Sequence, residues 1–245
     1  MDKDILTQAA ELIKNAKCLI AFTGAGISVE SGIPSFRGEG GLWSKYNPNV
    51  LSLSRFYKET GPAWKDIKEI FYDYWGKSDP NAAHKALAKL ETEGLLKAVI
   101  TMNIDNLHQK AGSKNVYEFH GTLDKMVCTK CGKKFNSGDV NLKNLPPKCD
   151  CGGVLKPDFV FFEEGIPSLA YNKSFEYAQK ADVVLVVGTT GEVTPAAYVP
   201  TIAKQHGAKI IEINPKDSAY THTVTDIYIQ EKAGTALTEL LNKIF

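Results

Sequence analysis

With 245 residues, 43% of them hydrophobic and 23% charged, the chain can bury a substantial core, which excludes disordered and collagen-like classes. A net charge of +1 lacks the basic excess of a nucleic-acid binder, so no direct nucleic-acid binding is expected. No apolar run reaches membrane-spanning length and the N-terminus has no apolar signal core, so no membrane association and a cytoplasmic location are expected.

In chain order, Ile5, Ala9, Leu12 and Ile13 stand at helical spacing over residues 4–17. Leu19 to Phe22 is a short apolar strand, followed at once by Gly24 and Gly26, and Ile27 to Gly32 is expected to open a helix. Strand, glycine turn and helix form the setting in which backbone N–H groups near Ala25 and Gly26 can hold a pyrophosphate. From residue 33 to 80 there is no strand pattern: glycines make the first part loop-like, and 61–74 looks helical. A helix over 82–93 and a strand over 97–101 follow, the latter running into TMNIDNLHQKAG, and a further strand over 115–119 ends at His120. Residues 121–156 are polar, rich in Lys and carry four cysteines, which marks an insert.

The alternation then resumes with a helix over 168–180 and a strand over 183–187 that ends in GTTGEV. A helix over 195–205, a strand over 210–213 ending at Asn214, and a final helix over 233–244 complete it. Strands alternating with helices in this way predict an α/β fold built on a doubly wound parallel sheet, with ligands beyond the carboxyl ends of the strands. The expected organisation is a Rossmann-type domain from 1–35, 81–120 and 157–245. A loop and helical module over 36–80 and a zinc-binding insert over 121–156 would form a smaller lobe.

Cys128-x-x-Cys131 and Cys149-x-Cys151 are separated by 17 residues, each pair followed by a glycine. Without an export signal, clustered cysteines indicate metal rather than disulfides, and four thiolates suit tetrahedral Zn²⁺ in a closed, structural site. Cys18 stands apart and reads as core. Among so many lysines the only arginines are Arg37 and Arg55; Arg37, beside the glycine-rich loop, is a candidate phosphate clamp, whereas Arg55 reads equally well as incidental.

The strings GAGISVESGIPSFRG, TMNIDNLHQKAG, FHG at Phe119 to Gly121, the paired cysteines, KPDFVFF, GTT with PAA, and EINP resemble those of the sirtuins, the NAD-dependent protein deacylases. They keep the family's order and cover essentially the whole chain. The resemblance implies an NAD site formed by Gly24, Ala25, Gly26, Phe36 and Arg37, under a loop over 33–46 that closes on the cofactor. It further implies that Asn103, Ile104 and Asp105 form the nicotinamide pocket, with Asn103 and Asp105 also catalytic. Gly188, Thr189 and Thr190 would contact the phosphate and adenosine side, Asn214 the adenine ribose, and Ala233 the cofactor as well. His120 would be the base that activates a ribose hydroxyl, and Val160 and Phe162 would flank the tunnel for an acyl-lysine of a protein or peptide substrate. The implied products are free lysine, nicotinamide and O-acyl-ADP-ribose.

Three positions depart from the family pattern. Met102 stands where a Gln is usual, Glu163 where a Gly is usual, and Thr190 where a Ser is usual. The segment WKDIKEIFYDYWGK lacks the Arg of members that prefer carboxylate-bearing acyl groups, so acetyl or a longer apolar acyl is expected, with Lys65 or Lys68 an imperfect substitute. ADP-ribosyl transfer or NAD hydrolysis in the same pocket remains an alternative, as does a zinc-ribbon binding module on a degenerate nucleotide fold.

Overall fold

The computed structural model describes residues 2–36, 40–73 and 78–245. The first helix, α1 (Lys3–Asn15), is capped by the Asp2 carboxylate and buries Leu6, Ala9, Ala10 and Ile13. Strand β1 (Leu19–Thr23) follows and is buried at every position.

Five further strands lie parallel to β1: β2 (Leu96–Thr101), β3 (Val116–Glu118), β7 (Val183–Val187), β8 (Lys209–Ile213) and β9 (Ile227–Ile229). Their order across the sheet is β3-β2-β1-β7-β8-β9. Burial on both faces explains why β1 and β7 read as unbroken apolar runs. Side chains nonetheless alternate: Leu19 and Ala21 face one core and Ile20 and Phe22 the other. The first core is closed by α1, α4 (Ala82–Thr92) and α8 (Ala233–Ile244), the second by α6 (Ser168–Lys180) and α7 (Tyr198–Gln205). This is the expected doubly wound, Rossmann-type sheet. The chain leaves β1 toward β2 and β3 on one side and later fills β7, β8 and β9 on the other. The switch point, where crossovers diverge and leave a crevice, therefore lies between β1 and β7.

The smaller lobe joins an antiparallel sheet to short helices. Its strands β4 (Gly121–Cys128), β5 (Lys134–Asn136) and β6 (Leu155–Phe159) pair in the order β5-β4-β6. Against them pack α2 (Leu53–Lys58) and α3 (Thr60–Ile67), the latter prolonged by a π-helical turn over Lys68–Tyr72. Trp64 is fully buried and its indole N–H donates to the Leu155 carbonyl at 2.9 Å, fastening the helices to the zinc-side sheet. Arg55, left without an assigned role by sequence, pairs with Asp66 at 2.5 Å inside this module.

One local expectation is corrected. The segment after the glycine turn is a 3-10 helix, Ala25–Ser31, rather than an α-helix, because Gly32 ends it in a left-handed conformation after seven residues. Cys18, at the entry to β1, is partly buried and packs against the second core.

Candidate functional site

A cleft of about 1090 Å³ runs past the carboxyl ends of β1, β2, β7 and β8 and under the end of β6. Gly24, Ala25 and Gly26 meet Gly188, Thr189 and Thr190 there, because β1 and β7 are neighbours in the sheet. Backbone contact fastens the two turns: Gly24 N–H donates to Val187 O at 3.0 Å and Gly26 N–H to Gly188 O at 2.8 Å. A Cβ on Gly26 would stand 2.7 Å from Gly188 Cα, and Gly188 has φ +63, so neither position accepts a side chain. The Gly26 N–H is thus committed to the fold. Ala25 N–H has no partner among the described residues, and Ala25 lines the cleft.

Asn103 and Ile104 line the cleft after β2. Asn103 is 4% exposed; its Nδ2 donates to Ser28 Oγ at 3.1 Å, and its Oδ1 is buried without a partner among the described residues. An orphaned buried acceptor is costly unless a ligand donor reaches it. Asp105 does not line the cleft. It lies one hydrogen bond behind: Ser28 Oγ donates to Asp105 Oδ2 at 2.7 Å, and Leu107 N–H, in the first turn of α5 (Leu107–Lys110), donates to Asp105 Oδ1 at 3.0 Å. Burial pushes the Asp105 carboxyl above its ordinary value, opposed by those hydrogen bonds.

His84 and His108 are both fully enclosed. His84 Nε2 lies 3.5 Å from Ser28 Oγ, His108 Nε2 lies 2.9 Å from Thr23 Oγ1, and the two rings meet edge-on at 4.9 Å. Burial pulls His84 down to about 4. The network behind Asn103 therefore rests on neutral imidazoles. Its sequence signal was Asn81 three residues before His84, a capping box that opens α4 and places the ring beneath the cleft.

His120 follows β3 and meets the same cleft. Its Nδ1 lies 3.2 Å from the Met102 carbonyl, which can only accept, so Nδ1 carries the proton and Nε2 keeps its lone pair. Burial holds the imidazole below its ordinary pKa, with the carbonyl acting weakly the other way. Because the main chain of residue 102 makes this contact, the Met-for-Gln departure leaves it intact.

Val160 and Phe162 form the far wall with Phe161 between them. The segment is anchored inward by Lys156, only 4% exposed, whose Nζ donates to the Phe159 carbonyl at 2.8 Å and pairs with Glu164 at 2.9 Å. Glu164 in turn accepts from Phe161 N–H at 2.9 Å. At the opposite end of the cleft stand Asn214, whose Nδ2 donates to the Thr189 carbonyl at 2.9 Å, and Ala233 at the start of α8. Phe36 lines the cleft with its ring tilted against Trp43 at 5.5 Å. Arg37 lies outside the described residues. Neither Lys65 nor Lys68 lines the cleft, and Lys68 is paired with Asp73 at 2.6 Å.

The four cysteine sulfurs lie within 4.8 Å of one another, with Cys128–Cys151 at 3.5 Å and Cys131–Cys149 at 3.8 Å. Sulfurs about 2.3 Å from a tetrahedral zinc stand about 3.8 Å apart, so the donor set fits Zn²⁺. With four protein ligands no position is left for a reacting water, which makes the site structural.

The sequence profile described as "Sir2 family" matches residues 24–195. The chain belongs to the Sir2 family. It is 45% identical to an NAD-dependent protein deacylase of Thermococcus kodakarensis over 98% of this chain and 96% of that protein. A Sir2 homologue in complex with NAD superposes with a TM-score of 0.89 at 40% identity, covering 100% of this chain and 94% of that one. A Sir2 protein with a deacetylated p53 peptide and 3′-O-acetyl-ADP-ribose superposes with a TM-score of 0.91 at 33% identity, covering 97% and 98%.

Proposed function

We propose that the chain is an NAD-dependent protein lysine deacylase, acting on acetyl-lysine in peptide or protein substrates and releasing free lysine, nicotinamide and O-acyl-ADP-ribose. The observation that carries this reading is the meeting of two poised groups in one cleft, Asn103 Oδ1 without a donor and His120 Nε2 with a free lone pair. The cleft suits NAD. Its glycine turns admit a pyrophosphate close to the main chain, the lining residue Ala25 has an unpaired N–H, and Asn103 Oδ1 matches the amide N–H of a nicotinamide. NAD, when bound, supplies a ribose carbon open to attack and a neutral leaving group.

In this reading Asn103 and Ile104 seat the nicotinamide, Thr189, Thr190, Asn214 and Ala233 hold the adenosine half, and Asp105 fixes Ser28 and through it Asn103. Arg37 is assigned to the phosphates on its sequence position alone. Val160, Phe161 and Phe162 give the acyl chain an apolar channel, and neither Lys65 nor Lys68 lines the cleft to favour a carboxylate-bearing acyl group. We assign 36–80 and 121–156 to a lobe that closes the cleft over the Rossmann-type domain, and place the protein in the cytoplasm. No helix of the described residues is long and apolar enough to cross a membrane.

The test is mass spectrometry of an acetyl-lysine peptide incubated with NAD. Free lysine peptide, nicotinamide and O-acetyl-ADP-ribose are expected in equal amounts. NAD consumption without loss of acetyl or longer acyl groups would replace this reading with ADP-ribosyl transfer or NAD hydrolysis.

A pH profile follows from His120. A base works once deprotonated, and burial moves that deprotonation below the ordinary value of 6.5. The acid limb of kcat/KM is therefore expected below pH 6.5, and a limb at or above it would contradict the buried, singly bonded imidazole.

A further inference from the structure

We propose that Glu163 is a positioning residue for the substrate: its carboxylate clamps the cleft-wall segment to the N-terminal start of α2, holding its own main chain open to the peptide that carries the acyl-lysine. The inference rests on the deacylase reading and deepens it.

Glu163 lines the cleft and has φ +76; Asn106 is the other non-glycine with positive φ among the described residues. A side chain in that left-handed region is disfavoured and persists only where its surroundings over-determine it. Here they do. The carboxylate accepts from Ser52 Oγ at 3.0 Å, Ser54 N–H at 3.1 Å and Ser54 Oγ at 3.2 Å. The same stretch is tied to the neighbouring residue through the main chain, Phe162 N–H donating to Leu51 O at 2.9 Å and Leu53 N–H to Phe162 O at 3.1 Å. Phe56 of α2 packs edge-on against Phe161 at 5.5 Å. Two adjacent acids therefore brace this wall from opposite sides, Glu164 inward on Lys156 and Glu163 outward on Ser52 and Ser54.

What the clamp leaves open is the useful part. Phe162 directs its N–H and C=O to the α2 side, while the N–H and C=O of Glu163 have no hydrogen bond among the described residues. An unpaired main-chain donor and acceptor on a cleft wall suit an extended peptide, which pairs through its own backbone irrespective of sequence. The glycine usual at this position has no side chain with which to make such a clamp, so in this chain the Glu supplies the fixed geometry that an otherwise mobile edge would lack.

The experiment measures dissociation constants of the zinc-loaded protein for a short acetyl-lysine peptide and for NAD, by titration calorimetry. Glu163→Ala is expected to weaken peptide binding about tenfold, the loss of roughly one hydrogen bond's worth of preorganisation, and to change NAD binding by less than about twofold. Glu163→Gln keeps an acceptor oxygen for Ser54 N–H and should restore most of the affinity. Glu163→Gly adopts the left-handed backbone without strain, so it separates loss of the clamp from misfolding and should weaken the peptide as Ala does. Peptide affinity unchanged in both the Ala and Gly variants, or peptide and NAD weakened alike, would overturn the proposal. A wild type that binds the peptide but does not deacylate it would remove the deacylase reading, with the clamp still decided by the binding ratio; a wild type that binds no acyl-peptide overturns both.

Discussion

Replacing His120 with alanine is expected to lower kcat for deacylation by about 10²- to 10⁴-fold, the range spanned by a well-placed general base. Only the base step should be lost. The Nδ1–H bond to the Met102 carbonyl fixes the ring so that Nε2 faces the cleft as a lone-pair acceptor, and burial keeps it neutral near pH 7. No other imidazole can take over: His84 and His108 are fully enclosed behind Ser28 and Thr23, and His206 and His222 lie away from the cleft. In the proposed mechanism His120 acts on the ribose hydroxyl, after nicotinamide has left, so nicotinamide release in the first turnover should persist in the variant. Single-turnover kinetics with separate detection of nicotinamide and free lysine peptide measure this directly. A loss of less than about tenfold in kcat would remove His120 from the role of base.

The second large effect is removal of the zinc. Metal binding to a closed four-thiolate site contributes free energy of the order of a whole domain's stability, and that contribution disappears with the metal. Cys128 and Cys149 are buried in the same core as Trp64, Met126 and Leu155, so the loss reaches the helices that carry Leu51, Ser52 and Ser54 to the cleft. Chelation, or Cys128→Ser, is expected to abolish activity with loss of hydrogen-exchange protection over β4, β5 and β6. The six-stranded sheet, whose cores contain no cysteine of the cluster, should keep its protection. Full activity in a verified metal-free protein would refute the structural assignment.

How the parts became legible follows from the range of the interactions involved. The strand–helix alternation, the buried strands β1 and β7 and the helix over Ser168–Lys180 are written in local periodicity, which one stretch of chain carries by itself. The cysteine pairs were equally plain, because two short ligand spacings with a glycine after each already define half a tetrahedron apiece. The order of the strings from GAGIS to EINP identified the family, and with it the residues to look for.

Other features depend on partners far away in sequence. That Gly26 N–H is committed to Gly188 and Ala25 N–H is left open follows from the pairing of β1 with β7. Asp105 sits behind the cleft wall because Ser28, on the turn after β1, stands between it and Asn103. The sequence marked Glu163 only as a departure from the family pattern, and folding brought Ser52 and Ser54 from more than one hundred positions away to its carboxylate. By itself the sequence determined the fold class, the zinc ligands and the inventory of chemical groups, because these depend on residue types at short spacing. Only the tertiary structure decided which donors and acceptors remain unpaired and where they point, because that depends on which distant groups have already satisfied their neighbours.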